Sequence, residues 1–233
     1  MTLPSLNTDL AEALADLDRR RDRAGPQFGM PANRFQTVKA VEKVNRAGIR
    51  NLIRPENAAA ILPHLPADDT ERLHALLRGD FVLFDLIPAI IGHIGPVGHL
   101  RIATLGLSGA NAHGLARLLA SGQVERLTLV VSHYFQQVDK TTVYAEVSAA
   151  LAPHGVTPVV TRNHAKVILL PFRDRPDRVT LEGSANLRSS DNIEQLCVFN
   201  SAATHDFHAV WIDALANSSA PAAPAPAEPP FHV

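Results

Sequence analysis

Three short segments of this sequence hold residue types that together could attack, hold and orient a phosphoryl group. His164 and Lys166 stand in N-H-A-K, Ser184 and Asn186 in G-S-A-N, and Glu194 closes N-I-E. An imidazole titrates near neutral pH and can serve as nucleophile or acid. An ammonium, a hydroxyl and a side-chain amide beside it donate hydrogen bonds to phosphate oxygens.

The elements that must position them are two apolar runs, H-A-K-V-I-L-L-P-F and R-V-T-L-E-G-S-A-N, flanking the turn R-D-R-P-D, the pattern of an antiparallel hairpin. Symmetric pairing about Arg175 predicts His164 opposite Asn186 and Lys166 opposite Ser184. Directly opposed residues point to the same side, so all four share one face at the open end. A slip of one residue would separate them. Gly183, inside the second strand, leaves room for another backbone or a ligand to come close.

H-x-K, then G-S-x-N, then N-x-E (Asn192, Ile193, Glu194) resembles the phospholipase D superfamily, whose members are phosphodiesterases and nucleases with a phosphohistidine intermediate. The resemblance spans residues 82–215, with its specific motif confined to His164 through Glu194. It implies that His164 attacks phosphorus, that Lys166, Ser184 and Asn186 hold the nonbridging oxygens, and that Glu194 orients the histidine. It implies no metal and no cofactor. One motif per chain implies a twofold homodimer, in which one His164 attacks while the other protonates the leaving oxygen and then activates water. Where the family places an aspartate five residues after the lysine, this chain has Pro171, with Asp174 and Asp177 displaced into a longer turn. The alternative reading is therefore a catalytically inactive nucleic-acid-binding or assembly module.

The 233 residues are 46% hydrophobic and 19% charged with a net charge of −1, ordinary for a globular chain that advertises no partner. Distribution says more. Between Arg19 and Arg54 ten basic residues face only Asp22 and Glu42, a local excess of +8 (10 − 2). The expected helix from Phe35 to Ala47 would carry Lys39, Lys43, Arg46 and, just beyond it, Arg50 along one basic stripe suited to phosphate contacts. With no apolar signal region and no uninterrupted apolar span, neither secretion nor a membrane span is expected, and the single Cys197 fits a reducing, cytoplasmic setting. A nucleic-acid phosphodiester is thereby favoured over a phospholipid, with DNA or RNA left open.

Residues 1–78 read as a helical, locally basic extension: an acidic helix over 1–24, the basic helix, and a short helix D-D-T-E-R-L-H-A-L-L-R. From 79 to 217 helices and strands alternate: helix Phe84 to Ile94, strand His99 to Leu107, helix Ala110 to Ala120, strand Val124 to Ser132, helix Thr141 to Ala152 and strand Val156 to Arg162. The hairpin strands follow, then strand Gln195 to Asn200 and helix Thr204 to Ala216. The fold class is α/β, a mixed-sheet layered sandwich, which the resemblance makes one of phospholipase D type. Residues 218–233, rich in Pro and Ala, read as a disordered tail.

Other candidates carry ordinary explanations. Ser108 in L-G-L-S-G-A lacks the second glycine of a nucleophile elbow and reads as a residue at a helix start. His205 and His208 have a zinc-compatible spacing without further ligands and read as helix-surface histidines. His133 and Tyr134, at the end of a strand, could touch substrate, Tyr134 by stacking on a base or sugar. H-L-R at His99 with S-G-A-N at Ser108 reads as a chance echo of the motif.

Overall fold

The computed structural model describes residues 40–44, 49–53, 56–78, 81–138, 142–188 and 192–218, the first two runs by their backbone alone. The acidic helix expected over 1–24, Lys39, Arg46 and the segment from 219 onward lie outside them.

Among the described residues nine strands form one sheet. In chain order they are β1 (Ala40–Val44), β2 (Ile49–Ile53), β3 (Arg72–Leu77), β4 (Val97–Thr104), β5 (Val124–Ser132), β6 (Val159–Thr161), β7 (Val167–Pro171), β8 (Arg178–Gly183) and β9 (Glu194–Asn200). Across the sheet the order is β1-β2-β3-β9-β8-β7-β4-β5-β6. The pairs β2–β3, β4–β5 and β5–β6 are parallel and the remainder antiparallel. The helices are α1 (Leu86–Ile94), α2 (Gly109–Ala120), α3 (His133–Val138), α4 (Val143–Leu151) and α5 (Ala202–Ser218). This is a mixed α/β fold, as the alternation of elements from residue 81 onward implies.

Side-chain alternation divides the sheet's faces between two cores. Leu100, Ile102, Leu129, Val131, Ile168, Leu170, Val179 and Leu181 point to the side covered by α1, α2 and α4. Ala103, Val130, Val167 and Leu169 point to the other, where Ile212 of α5 packs on them. Strand β7 is buried on both faces through V-I-L-L, which is why it reads as a continuous apolar run with no polar alternation. Arg101 reaches from β4 to Asp213 of α5 with two bonds of 2.8 Å and pins that helix to the sheet.

The structure corrects the helical reading for the described residues between Ala40 and Leu77. The stretch expected as a basic helix contains β1, and Lys43 pairs with Arg50 across the β1–β2 ladder, so no helical stripe runs through them. The segment R-L-H-A-L-L is β3, with Leu73, Ala75 and Leu77 buried between an exposed Arg72 and His74. Its apolar residues fit helical and alternating spacing alike, and a run this short cannot decide between them. The edge of β9 decides it, offering a full ladder from Arg72↔Phe199 to Leu77↔Glu194. The acidic residues ahead of it make a turn, with Asp68 accepting from the Thr70 backbone at 2.9 Å and from its hydroxyl at 2.6 Å.

Candidate functional site

The parallel strands β4, β5 and β6 end on the same sheet edge at which β7 begins, β8 ends and β9 begins. Crevices outside the carboxyl ends of parallel strands are where α/β sheets bind ligands, because the chain leaves the ladder there and polar groups become available. His164 and Lys166 lie just before β7, Ser184 and Asn186 just after β8, and Glu194 opens β9.

The expected hairpin register is one residue off. Val167 pairs with Glu182 and Ile168 with Leu181, which puts Lys166 opposite Gly183, whose N–H donates to the Lys166 carbonyl at 3.2 Å. The turn is the cause. Phe172 N–H bonds the Asp177 carbonyl at 3.2 Å and closes an even loop over 173–176, where symmetry about Arg175 requires an odd one. Neither His164–Asn186 nor Lys166–Ser184 is a ladder pair; all four residues lie in the irregular backbone beyond the strand ends.

His164 is exposed, and the Lys166 ammonium stands 3.3 Å from its Nδ1 while donating to its carbonyl at 3.0 Å. Burial pulls the Lys166 ammonium below the ordinary lysine value, and the Glu194 carboxylate opposes that pull. Ser184 donates its hydroxyl to Glu194 Oε2 and accepts the Gln195 N–H at 3.0 Å. So Glu194 holds Ser184 and favours the charge on Lys166; among the described residues the His164 ring is bonded by Lys166. Gly183 does admit a close approach, but from backbone: a Cβ there would collide with the Gln195 carbonyl oxygen of β9.

Asn186 turns toward β4, its Oδ1 accepting the Leu105 N–H at 3.2 Å. Sequence reasoning passed over Asn163, which positions the histidine. Buried at 9% exposure, it donates to the Thr104 carbonyl at 3.0 Å and accepts the Ala165 N–H at 2.9 Å, fixing the turn that carries His164. Its signal was an asparagine directly ahead of the H-x-K pair, a residue type that organises local backbone.

Pro171 closes β7 at the turn end, about 17 Å along the strand from Lys166 at ~3.3 Å per residue. Asp177 braces that end, accepting from Asn200 Nδ2 at 2.7 Å and Arg175 Nε at 2.9 Å.

The side candidates also resolve. Ser108 accepts the Asn111 N–H at 3.2 Å and caps α2, so its hydroxyl serves the helix start. His99 bonds Thr128 Oγ1 at 2.8 Å within the sheet. His205 and His208 are not surface histidines. His205 is buried, with Nδ1 2.8 Å from Asp206, and His208 lies between Glu182 Oε1 at 2.7 Å and Trp211 Nε1 at 3.1 Å. The indole N–H can only donate, so His208 Nδ1 accepts and its Nε2 donates to Glu182. Both belong to α5, and His208 reaches Glu182 of β8 from the helix face turned to the sheet. No group of three metal-ligating side chains occurs among the described residues, and no helix there is long and apolar enough to cross a membrane. Cys197 is half-buried, which pushes its thiol up to about 11.

Beside His164 opens a cleft of about 900 Å³ lined by Leu105, Ser132, His133, Tyr134, Gln137, Arg162 and Asn163.

No protein-family model matches the sequence, and no curated protein does. Among solved structures the chain is similar to a polyphosphate kinase from Porphyromonas gingivalis, at a TM-score of 0.43 and 16% identity, over 66% of this chain and 24% of that one. The chain thus spans about a quarter of that protein's length.

Proposed function

We propose that this chain is a metal-independent phosphodiesterase of phospholipase D type, cleaving nucleic-acid phosphodiester bonds through a phosphohistidine on His164. The observation that carries the reading is the 3.3 Å approach of the Lys166 ammonium to His164 Nδ1 at the carboxyl edge of the sheet, beside the Ser184–Glu194 pair.

A phosphate is a stronger partner for an ammonium than an imidazole is, since both groups are then charged. On substrate binding Lys166 turns to a nonbridging oxygen and releases the ring. His164 forms a nitrogen–phosphorus bond, the bond to the leaving oxygen breaks, and that oxygen takes a proton from the His164 of a second copy. The second imidazole, now neutral, takes a proton from water, whose oxygen attacks phosphorus and breaks the bond to nitrogen. Lys166 and the Asn186 amide N–H groups stabilise charge on the phosphoryl oxygens, joined by the Ser184 hydroxyl once its proton turns from Glu194 Oε2 to a phosphoryl oxygen, each key donor worth roughly 3 kcal/mol. Glu194 keeps Lys166 charged and Ser184 aimed. The twofold homodimer follows from one H-x-K motif per chain, and the basic segment with Lys39, Lys43, Arg46 and Arg50 adds phosphate contacts. A cytoplasmic location completes the reading.

The test is cleavage of single- and double-stranded DNA and RNA, and of bis(p-nitrophenyl) phosphate, in excess chelator, by wild type and His164→Ala. Turnover that survives the chelator and is lost in the variant supports the reading. A folded dimer that binds nucleic acid but cleaves none of these substrates replaces it with a noncatalytic binding module.

A further inference from the structure

The cleft beside His164 holds a side chain that the proposed chemistry does not use. Tyr134 is 60% exposed, although it belongs to a helix whose next residue, Phe135, is buried. Single exposed aromatics are common and need no explanation. Three observations set this one apart.

The first is its footing. Phe135 packs edge-on against Tyr144 with ring centroids 6.1 Å apart. Its ring also lies over Gly106, where an added Cβ would come within 2.8 Å of it. The Tyr134 N–H is held by Ser132 Oγ at 3.1 Å. The backbone carrying the phenol is therefore fixed from below and from the strand side, which lowers the ordering cost of binding. The second is placement. Strands β7, β4 and β5 are successive neighbours, so the end of β5 stands about 10 Å from the start of β7 at ~4.8 Å per strand. Tyr134 and His164 line the same cleft. The third is charge: Arg162 and His133 line it too, and no carboxylate does among the described residues.

From these we infer that Tyr134 is a stacking platform for an unpaired base, with Arg162 meeting a backbone phosphate, so that the chain takes single-stranded nucleic acid with a base splayed onto the phenol. The inference rests on the reading that a nucleic-acid phosphodiester is bound at His164. Stacking on an aromatic ring tolerates any base, because every base has a π-face, and a duplex offers none while its bases stay paired. A platform next to the scissile phosphate therefore selects strand state without selecting sequence. Gln137, at the cleft wall, is in place to bond a base edge.

The test compares binding of labelled oligothymidylate, an abasic oligomer of equal length and a duplex to the full chain, by fluorescence anisotropy in the His164→Ala background, because a chelator does not stop metal-independent cleavage. The expected result is preference for oligothymidylate, a loss of roughly 5- to 100-fold for it in Tyr134→Ala, and little change for the abasic oligomer. Tyr134→Trp should retain binding, and Arg162→Gln should weaken both oligomers and flatten the salt dependence. Equal losses on both oligomers in Tyr134→Ala, or tighter binding of the duplex, would overturn the platform. Binding needs no turnover, so a base-selective loss in a chain whose wild type cleaves nothing removes the catalytic reading and leaves the platform. Turnover of bis(p-nitrophenyl) phosphate by the wild type without oligomer binding does the reverse.

Discussion

The side-chain oxygen of Asn186 accepts the backbone N–H of Leu105 at 3.2 Å and ties the loop after β8 to the carboxyl end of β4. Leu105 in turn offers its carbonyl to the Ser132 N–H at 3.3 Å. One residue thus links the segment bearing Ser184, the strand beside His164 and the strand leading to Tyr134. In Asn186→Ala the Leu105 amide loses its partner, and unfolding in urea should show a loss of about 1–2 kcal/mol. Asn186→Asp keeps the acceptor and should recover most of that stability, while losing the donor proposed for phosphate. Wild-type stability in the alanine variant would show that the bond contributes nothing.

Gly183 has no room for a methyl group, since the obstacle is the Gln195 carbonyl of β9 and backbone cannot swing aside. Gly183→Ala should cost about 1–3 kcal/mol, lowering Tm by ~2–10 °C in scanning calorimetry. Because Gly183 also donates to the Lys166 carbonyl, turnover should fall further than stability alone accounts for at a temperature where the variant is folded. An unchanged Tm would mean that β9 shifts freely.

Acid should weaken the fold in two stages. Burial, with the charges of Arg101 and Arg126, pulls the His99 imidazole from 6.5 to about 4. The folded form therefore favours neutral His99, so its contribution is complete above pH 6.5 and is lost as pH falls toward 4. His205 shifts the same way, chiefly by burial. In His99→Gln the denaturation midpoint should change less between neutral pH and pH 5 than in wild type. An identical slope would show that the imidazole does not carry it.

The second stage belongs to Asp213, whose carboxyl the Arg101 hydrogen bond holds below the ordinary value of 3.8. A depressed carboxylate stabilises the fold above its unfolded pKa and loses that effect as pH falls through the folded one. Asp213→Asn should remove this most acidic limb of the stability curve and keep, slightly enlarged, the His99 limb, because the Asp213 charge opposes the downward shift of His99. Loss of both limbs would mean that α5 detaches as one unit with its histidines.

Most of the architecture from residue 81 onward was legible. The strand Val124–Ser132 carries its expected bounds, and the helices Leu86–Ile94 and Gly109–Ala120 begin within two residues of theirs. Long periodic segments with caps declare themselves locally; Ser108 with Asn111 shows it. The short runs did not. Six residues of β3 fit two periods, and no helix was expected at α3, whose His133 and Tyr134 were read as strand-end residues.

The amino-acid sequence by itself marked His164, Lys166, Ser184, Asn186 and Glu194 as the candidate side chains, and determined that two apolar runs pair as one hairpin. Tertiary structure decided how they meet. A loop of even length shifted the register, so Lys166 faces Gly183 and Ser184 bonds Glu194. It also buried His205, gave β3 its partner and anchored Tyr134 through Phe135. The physical reason is one of range. Periodicity and capping act within a few residues and are written in the chain, whereas an unpaired strand edge takes whichever distant segment satisfies its N–H and C=O groups.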